Sequence, residues 1–270
     1  MKKSQNKAQS KNPISHTLIT GASSGIGATT ALELAKKKVG LILTARRLDR
    51  LIKLQKQCVE LGASNVLIFK LDVKNKIEIA KVIAEFKKKK LQINVLINNA
   101  GLAKGVELFQ NSKLSDWDEM LDTNVKGMLY MTRELLPNLI QNTGHIVNMG
   151  SVAGRLVYEG GAVYCATKFA VRAISEGLRM DLKGTGVRIT NIEPGMVNTE
   201  FSLVRLGNQQ KAEAVYKDMM PLTAMDVANT ILWCLSRPPH VNITELVIYP
   251  TDQASVGQVV RGEKSIKNLV

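Results

Sequence analysis

The stretch Thr20-Gly21-Ala22-Ser23-Ser24-Gly25-Ile26-Gly27 follows an apolar run at 15–20 and leads straight into a helical pattern. Glycines at a strand-to-helix turn let backbone N–H groups approach a pyrophosphate, and the helix N-terminus adds its positive dipole. The glycines here are separated by three residues and then by one, unlike the one-then-two spacing of the commoner dinucleotide fingerprint. Taken alone, a glycine-rich turn is as readily a plain structural turn. Its place between the first strand and the first helix argues for a phosphate cradle built from Gly21, Ser23, Ser24, Gly25, Ile26 and Gly27.

Working outward, β-rich runs bounded by Gly, Asn, Asp or Pro fall at 15–20, 40–45, 66–71, 94–98, 145–149, 187–192 and 246–249. Segments with apolar residues at three-and-four spacing lie between them, at 26–38, 48–61, 77–88, 117–141, 162–182 and 224–236. Strands alternating with helices predict one α/β domain, a doubly wound Rossmann-like fold with about seven parallel strands and helices on both faces. No internal repeat or Pro/Gly-rich linker divides the chain. The catalytic domain is expected over 14–250, preceded by a disordered basic tail at 1–13. Residues 251–270 are polar and basic, and are expected as an arm of the same domain that either faces a partner or frays.

Composition narrows the classes of function. The chain is 45% hydrophobic, yet no stretch approaches the run of about 20 apolar residues that a membrane-spanning helix needs. Its first fifteen residues carry four lysines and no apolar block, so they lack the hydrophobic region of a secretory signal. Cys58, Cys165 and Cys234 are odd in number and have no metal-ligand spacing, which points to free thiols, a cytoplasmic setting and no metal. A net charge of +14 raises polyanions as partners. The lysines instead gather in the tail and in 36–38 and 87–90, at expected helix C-termini where cations suit the dipole. With aromatics at 4%, platforms for stacking bases are scarce, so neither nucleic acid nor a membrane is expected as a partner.

Residues with chemistry accumulate at the carboxyl ends of the strands, where open α/β sheets bind ligands. Arg46 and Arg47 follow the second strand, where an acidic residue would meet a free ribose 2′-hydroxyl. Guanidinium forks suit a phosphate, so the pattern favours NADP; a surface basic pair is the alternative. Asp72-Val73 and Asn98-Asn99-Ala100-Gly101 end the third and fourth strands, with simple helix capping as the other role for Asp or Asn. Ser151 ends the fifth. Tyr164 and Lys168 stand four apart, on one face of a helix. A neighbouring ammonium favours the phenolate and lowers a phenol's pKa, which suits acid–base work, and a serine hydroxyl can hold a substrate oxygen.

Together these motifs resemble the short-chain dehydrogenase/reductase family through Thr20-Gly21-x-x-x-Gly25-Ile26-Gly27, Asn98-Asn99-Ala100-Gly101, Asn124, Ser151, Tyr164-x-x-x-Lys168 and Pro194-Gly195, over about residues 14–250. The resemblance implies that Tyr164 is the general acid/base, that Lys168 lowers its pKa and binds the nicotinamide ribose, and that Ser151 orients the substrate oxygen. Asn124 would hold a proton-relay water. It further implies cofactor contacts from Asp72, Val73, Asn98, Ala100 and Gly101, and from Pro194, Gly195, Val197 and Thr199 beside the nicotinamide.

A narrower resemblance lies in Asn98-Asn99-Ala100-Gly101-Leu102-Ala103, in 122–127 and in Ile192-Glu193-Pro194-Gly195-Met196-Val197 running on to Thr199-Glu200-Phe201-Ser202-x-Val204-Arg205. These blocks are similar to the NADP-dependent 3-hydroxy acid dehydrogenases, whose substrates include L-serine, L-allo-threonine and the 3-hydroxypropionate/malonic semialdehyde pair, and which are commonly homotetramers. A 3-hydroxy acid brings a carboxylate, for which Arg205 is the candidate, with Arg155 and Tyr158 as alternatives. Two other readings stay open. One is a reductase of a ketone, sugar, steroid or acyl thioester on the same fold; the other is a non-catalytic NADP-binding or nucleic-acid-associated protein.

Overall fold

The computed structural model describes residues 15–268; the tail expected at 1–13 lies outside them. Strands β1 (Ser15–Thr20), β2 (Gly40–Ala45), β3 (Val66–Lys70), β4 (Gln92–Asn98), β5 (His145–Met149) and β6 (Arg188–Pro194) belong to one sheet. Two short strands, β7 (Val197–Asn198) and β8 (Leu222–Thr223), pair with each other, and β9 (Glu245–Ile248) completes the main sheet. Its order is β3-β2-β1-β4-β5-β6-β9, parallel throughout. Chain direction across the sheet reverses between β1 and β4, and the crevice at that switch point is where ligands bind in such folds.

The helices are α1 (Gly25–Lys36), α2 (Leu48–Glu60), α3 (Lys76–Lys88), α4 (Leu114–Leu121), α5 (Met128–Gln141), α6 (Ala162–Asp181), α7 (Phe201–Leu206), α8 (Gln209–Ala214) and α9 (Ala224–Leu235). Strand alternation sends successive side chains to opposite faces, and the core divides accordingly. Ile19, Leu41 and Leu43 join Leu34 of α1, Leu51 of α2 and Ile231 of α9 on one side. Leu18 and Ile42 join Ile79 of α3 and Leu135 of α5 on the other. Burial on both faces is why these strands read as continuous apolar runs. Lysines end α1 and α3 as expected, at Lys36 and at Lys87 and Lys88.

Two departures from the sequence reading matter for the site. The single helix expected over 117–141 is α4 and α5 joined by a π-helical segment, Asp122–Gly127. The arm after β9 is fastened rather than loose. Asp252 accepts hydrogen bonds from Met220 N, Ser265 Oγ and Ile266 N, and Gln253 Oε1 accepts one from Met196 N. Among the described residues no helix is long and apolar enough to cross a membrane.

Candidate active site

The turn after β1 is shaped by close approach. Gly21 has φ +65°, and a Cβ there would stand 2.8 Å from Ala100 Cα; a Cβ on Gly27 would stand 2.5 Å from Asn99 Nδ2 and 2.8 Å from the Gly21 carbonyl. Thr20 Oγ1 accepts from Asn99 N and Ala100 N, and Asn99 Nδ2 donates to the Thr20 and Gly21 carbonyls, so the ends of β1 and β4 are stitched into one floor. Ser24 is the N-cap of α1 and its side chain makes no capping bond, which leaves the first helical N–H groups to a ligand.

Around this floor runs a groove. Its outer part, about 270 Å³, is lined by the glycine turn with Arg46, Arg47, Asp72, Val73, Ala100 and Thr199. Its inner part, about 310 Å³, is lined by Ser151, Tyr164, Lys168, Pro194, Gly195, Val197 and Arg205. Ile26, Asn99, Gly101, Thr199 and Phe201 border both, so the groove is continuous. A side-chain-free cradle, donors for a phosphate at one end and a buried hydroxyl pair at the other fit a dinucleotide such as NADP. Asn75, not Asp72, caps α3, accepting from Ile77 N and Glu78 N; Asp72 borders the groove with its Oδ1 accepting from Lys74 N at 3.0 Å.

Asn98 does not face the groove. It is buried in β4, and its Nδ2 donates to Thr132 Oγ1 and Asn148 Oδ1, both at 2.9 Å. Asn99, one residue on and on the other side of the pleat, borders the groove in its place.

Ser151, Tyr164 and Lys168 converge and are buried. Ser151 Oγ accepts from Ala153 N at 3.1 Å and is hydrogen-bonded to the Tyr164 hydroxyl. Burial is the largest influence on the Tyr164 phenol and raises its pKa well above the ordinary value. Tyr158 adds to the rise, and the Ser151 bond and the Arg205 charge oppose it. The lowering expected from Lys168 is not what the structure gives. Lys168 Nζ lies 5.8 Å from the Tyr164 ring centre and donates to the Met149 carbonyl at 2.8 Å. Burial pulls that ammonium down to about 8.

Asn124 sits in the π-helical segment. Its Oδ1 accepts from Leu102 N at 2.8 Å, and its Nδ2 donates to the Leu102 carbonyl at 2.8 Å and to Thr167 Oγ1 at 3.0 Å. Both amide protons are therefore committed to tying the loop after β4 to α6.

Of the three candidates for a substrate carboxylate, one is eliminated. Arg155 donates from Nε to Glu193 and from Nη2 to Glu245, two short charge-assisted contacts that consume its fork. Arg205 remains in the groove. Its Nε donates to the Gly105 carbonyl at 2.9 Å and its Nη1 to the Tyr158 hydroxyl at 2.9 Å; the guanidinium lies 5.8 Å from the Tyr164 ring centre.

The sequence profile of the family described as short chain dehydrogenase matches residues 15–209. The chain belongs to the short-chain dehydrogenase family. Two relatives within it are similar over nearly their whole length. NADP-dependent 3-hydroxy acid dehydrogenase YdfG of Escherichia coli strain K12 is 44% identical over 243 residues, covering 89% of this chain and 96% of the relative. Serine 3-dehydrogenase of Agrobacterium fabrum is 45% identical over 247 residues, covering 90% and 97%. Among solved structures, the closed form of a serine dehydrogenase complexed with NADP+ superposes with a TM-score of 0.85 at 43% identity, over 92% of this chain and 99% of that one.

Several groove residues of this short-chain dehydrogenase escaped the sequence reading. Phe201 stacks at a tilt on Tyr164, ring centres 5.7 Å apart. Tyr216, Gln253 and Val256 also line the inner part. Gln253 carried a usable signal, since it follows the carboxyl end of β9 as the other site residues follow their strands; Tyr216 and Val256 carried none.

Proposed function

We propose that this chain is an NADP-dependent oxidoreductase acting on the 3-hydroxyl of small 3-hydroxy acids, the class of L-serine, L-allo-threonine and the 3-hydroxypropionate/malonic semialdehyde pair. The observation that carries the substrate class is Arg205, a guanidinium with two of its nitrogens bonded to protein and its third turned to no protein acceptor among the described residues, in the same cleft as Ser151 and Tyr164. A carboxylate held there leaves its β-hydroxyl to the Ser151–Tyr164 pair. The names of the relatives and of the NADP+ complex agree with this reading.

NADP, when bound, supplies the hydride chemistry. The chain supplies the rest. Ser151 orients the substrate oxygen, and Tyr164 gives a proton to that oxygen in reduction and takes one in oxidation. Lys168, with an ammonium weakened by burial, stands beside the phenol, and Asn124 ties the loop after β4 to α6. The glycine turn, Val73 and Thr199 cradle the dinucleotide, with Arg46 and Arg47 at its 2′-phosphate.

The finer expectations belong here as well. Exposed Leu114, Leu121, Leu129 and Phe169 on α4, α5 and α6 favour burial in a homotetramer. Three free, buried thiols suit a reducing cytoplasm.

Initial rates with NADP or NAD across L-serine, D-serine, L-allo-threonine, 3-hydroxybutyrate, 3-hydroxypropionate and neutral alcohols test the proposal. NADP-dependent turnover of the hydroxy acids, abolished in Tyr164→Phe, is the expected result. Turnover of neutral alcohols alone would remove the hydroxy acid assignment.

A further inference from the structure

A carboxylate stands in a groove meant for anions. Glu200 follows Thr199 at the head of α7, and it borders the outer groove with Ser23, Ser24 and Arg47. Its Oε2 accepts from Arg47 Nη1 at 2.9 Å, and its Oε1 accepts from Arg50 Nη1 at 2.5 Å. Arg47 also donates from Nε to Ser23 Oγ at 3.2 Å and from Nη2 to Ser24 Oγ at 2.7 Å. All three nitrogens of Arg47 are thus engaged, with partners drawn from the glycine turn on one side and the α7 segment on the other.

This arrangement ties the α7 segment to the start of α2 across the mouth of the groove. Burial alone would raise the Glu200 carboxyl, but hydrogen bonds from Arg50 and Arg47 override it and keep the group below the usual carboxylate range. Glu200 is therefore an anion at neutral pH. The three partners have side chains 39–40% exposed, so solvent screens the attraction and a stronger anion can displace it. A phosphate carries more charge than one carboxylate and offers three acceptor oxygens to the same forks.

We infer that Glu200 is a specificity-determining residue: it holds the Arg47–Arg50 pair as an internal anion, which a ribose 2′-phosphate displaces and a 2′-hydroxyl does not. The 2′-phosphate then releases the first turn of α7 from α2, so the cofactor's phosphate is sensed at the segment that also carries Phe201 and Arg205. The inference rests on the reading of Arg46 and Arg47 as the 2′-phosphate site.

The probes are 2′,5′-ADP and 5′-ADP, titrated calorimetrically into the full chain and into Glu200→Gln, with amide hydrogen exchange followed over 199–206. The expected result has three parts. Native protein binds 2′,5′-ADP more tightly than 5′-ADP. Glu200→Gln tightens 2′,5′-ADP by about twofold to fivefold, the size of an exposed pair's contribution, and leaves 5′-ADP unchanged. Exchange over 199–206 quickens with 2′,5′-ADP only. Equal effects of Glu200→Gln on both probes, or weaker 2′,5′-ADP binding in the variant, would overturn the inference and make Glu200 a simple clasp. If neither native protein nor Arg47→Ala distinguishes the probes, the 2′-phosphate reading itself falls, and the inference with it.

Discussion

The Tyr158 hydroxyl accepts a hydrogen bond from Arg205 Nη1 at 2.9 Å, and the Tyr158 ring stacks beneath that guanidinium, 5.4 Å from its carbon. The arginine is held from two directions and its unshared nitrogen is oriented before any substrate arrives. Arg205→Ala is expected to lower kcat/KM for L-serine by about 10- to 100-fold, the range of a charge-assisted hydrogen bond, while rates on neutral alcohols stay within about threefold. Tyr158→Phe should give a smaller loss of the same selectivity. Initial rates on paired substrates check both; an unchanged acid-to-alcohol ratio would exclude Arg205 from carboxylate binding.

Lys168 costs the fold stability. Burial lowers its pKa to about 8, so between that value and its ordinary range the unfolded chain binds the proton more readily, and stability rises with pH across that window. Lys168→Met should be inactive yet more stable than the native chain at pH 7, by roughly 1–3 kcal/mol after loss of the bond to the Met149 carbonyl. Urea unfolding at pH 7 and pH 10 measures the difference, which should shrink at the higher pH.

Arg155 neutralises Glu193, a carboxylate with no exposed surface. Removing the arginine leaves a buried charge, and Arg155→Ala should destabilise by about 3 kcal/mol at pH 8. Burial already acts to raise the Glu193 pKa. A raised carboxyl favours the folded state at low pH and loses that contribution as pH rises, so the variant should recover toward pH 5. Denaturant melts at the two pH values would show a constant gap if this account is wrong.

His145 is buried in β5 with Nε2 against Thr190 Oγ1 at 2.7 Å. Burial, aided by the Arg188 charge, pushes it down to about 3. A depressed pKa gives stability that is complete above the ordinary value of 6.5 and is lost as pH falls toward 3. His145→Gln should flatten the acid limb of the stability curve by up to about 1.4 kcal/mol per pH unit.

Much of this was legible because the physics is local. Strands β1, β2 and β5 coincide with their expected runs, the other main-sheet strands differ by at most two residues at an end, and the two-residue strands β7 and β8 were not expected. The glycine turn was legible too, since close approach leaves room for nothing else. What escaped depends on contacts far apart in sequence. A π-helical segment keeps much the same apolar spacing as a straight helix, so 117–141 read as one element. Helices α7 and α8, six residues each, are too short for periodicity to register. Whether Asn98 or Asn99 meets the groove depends on the register of β4, and Arg155 was withdrawn from the site by two glutamates that sequence alone could not bring beside it.

The hydrogen bonds that Asp252 accepts from Met220 N and Gln253 from Met196 N also bear on the chain's biosynthesis. Synthesis runs from the N-terminus, but a single domain folds as a unit. The phosphate turn and β1 to β4 emerge first, whereas Gln253 and Val256, which line the substrate side, are translated after every strand of the main sheet. The substrate wall therefore cannot be completed until residues near 265 have been made and have threaded back to fasten it.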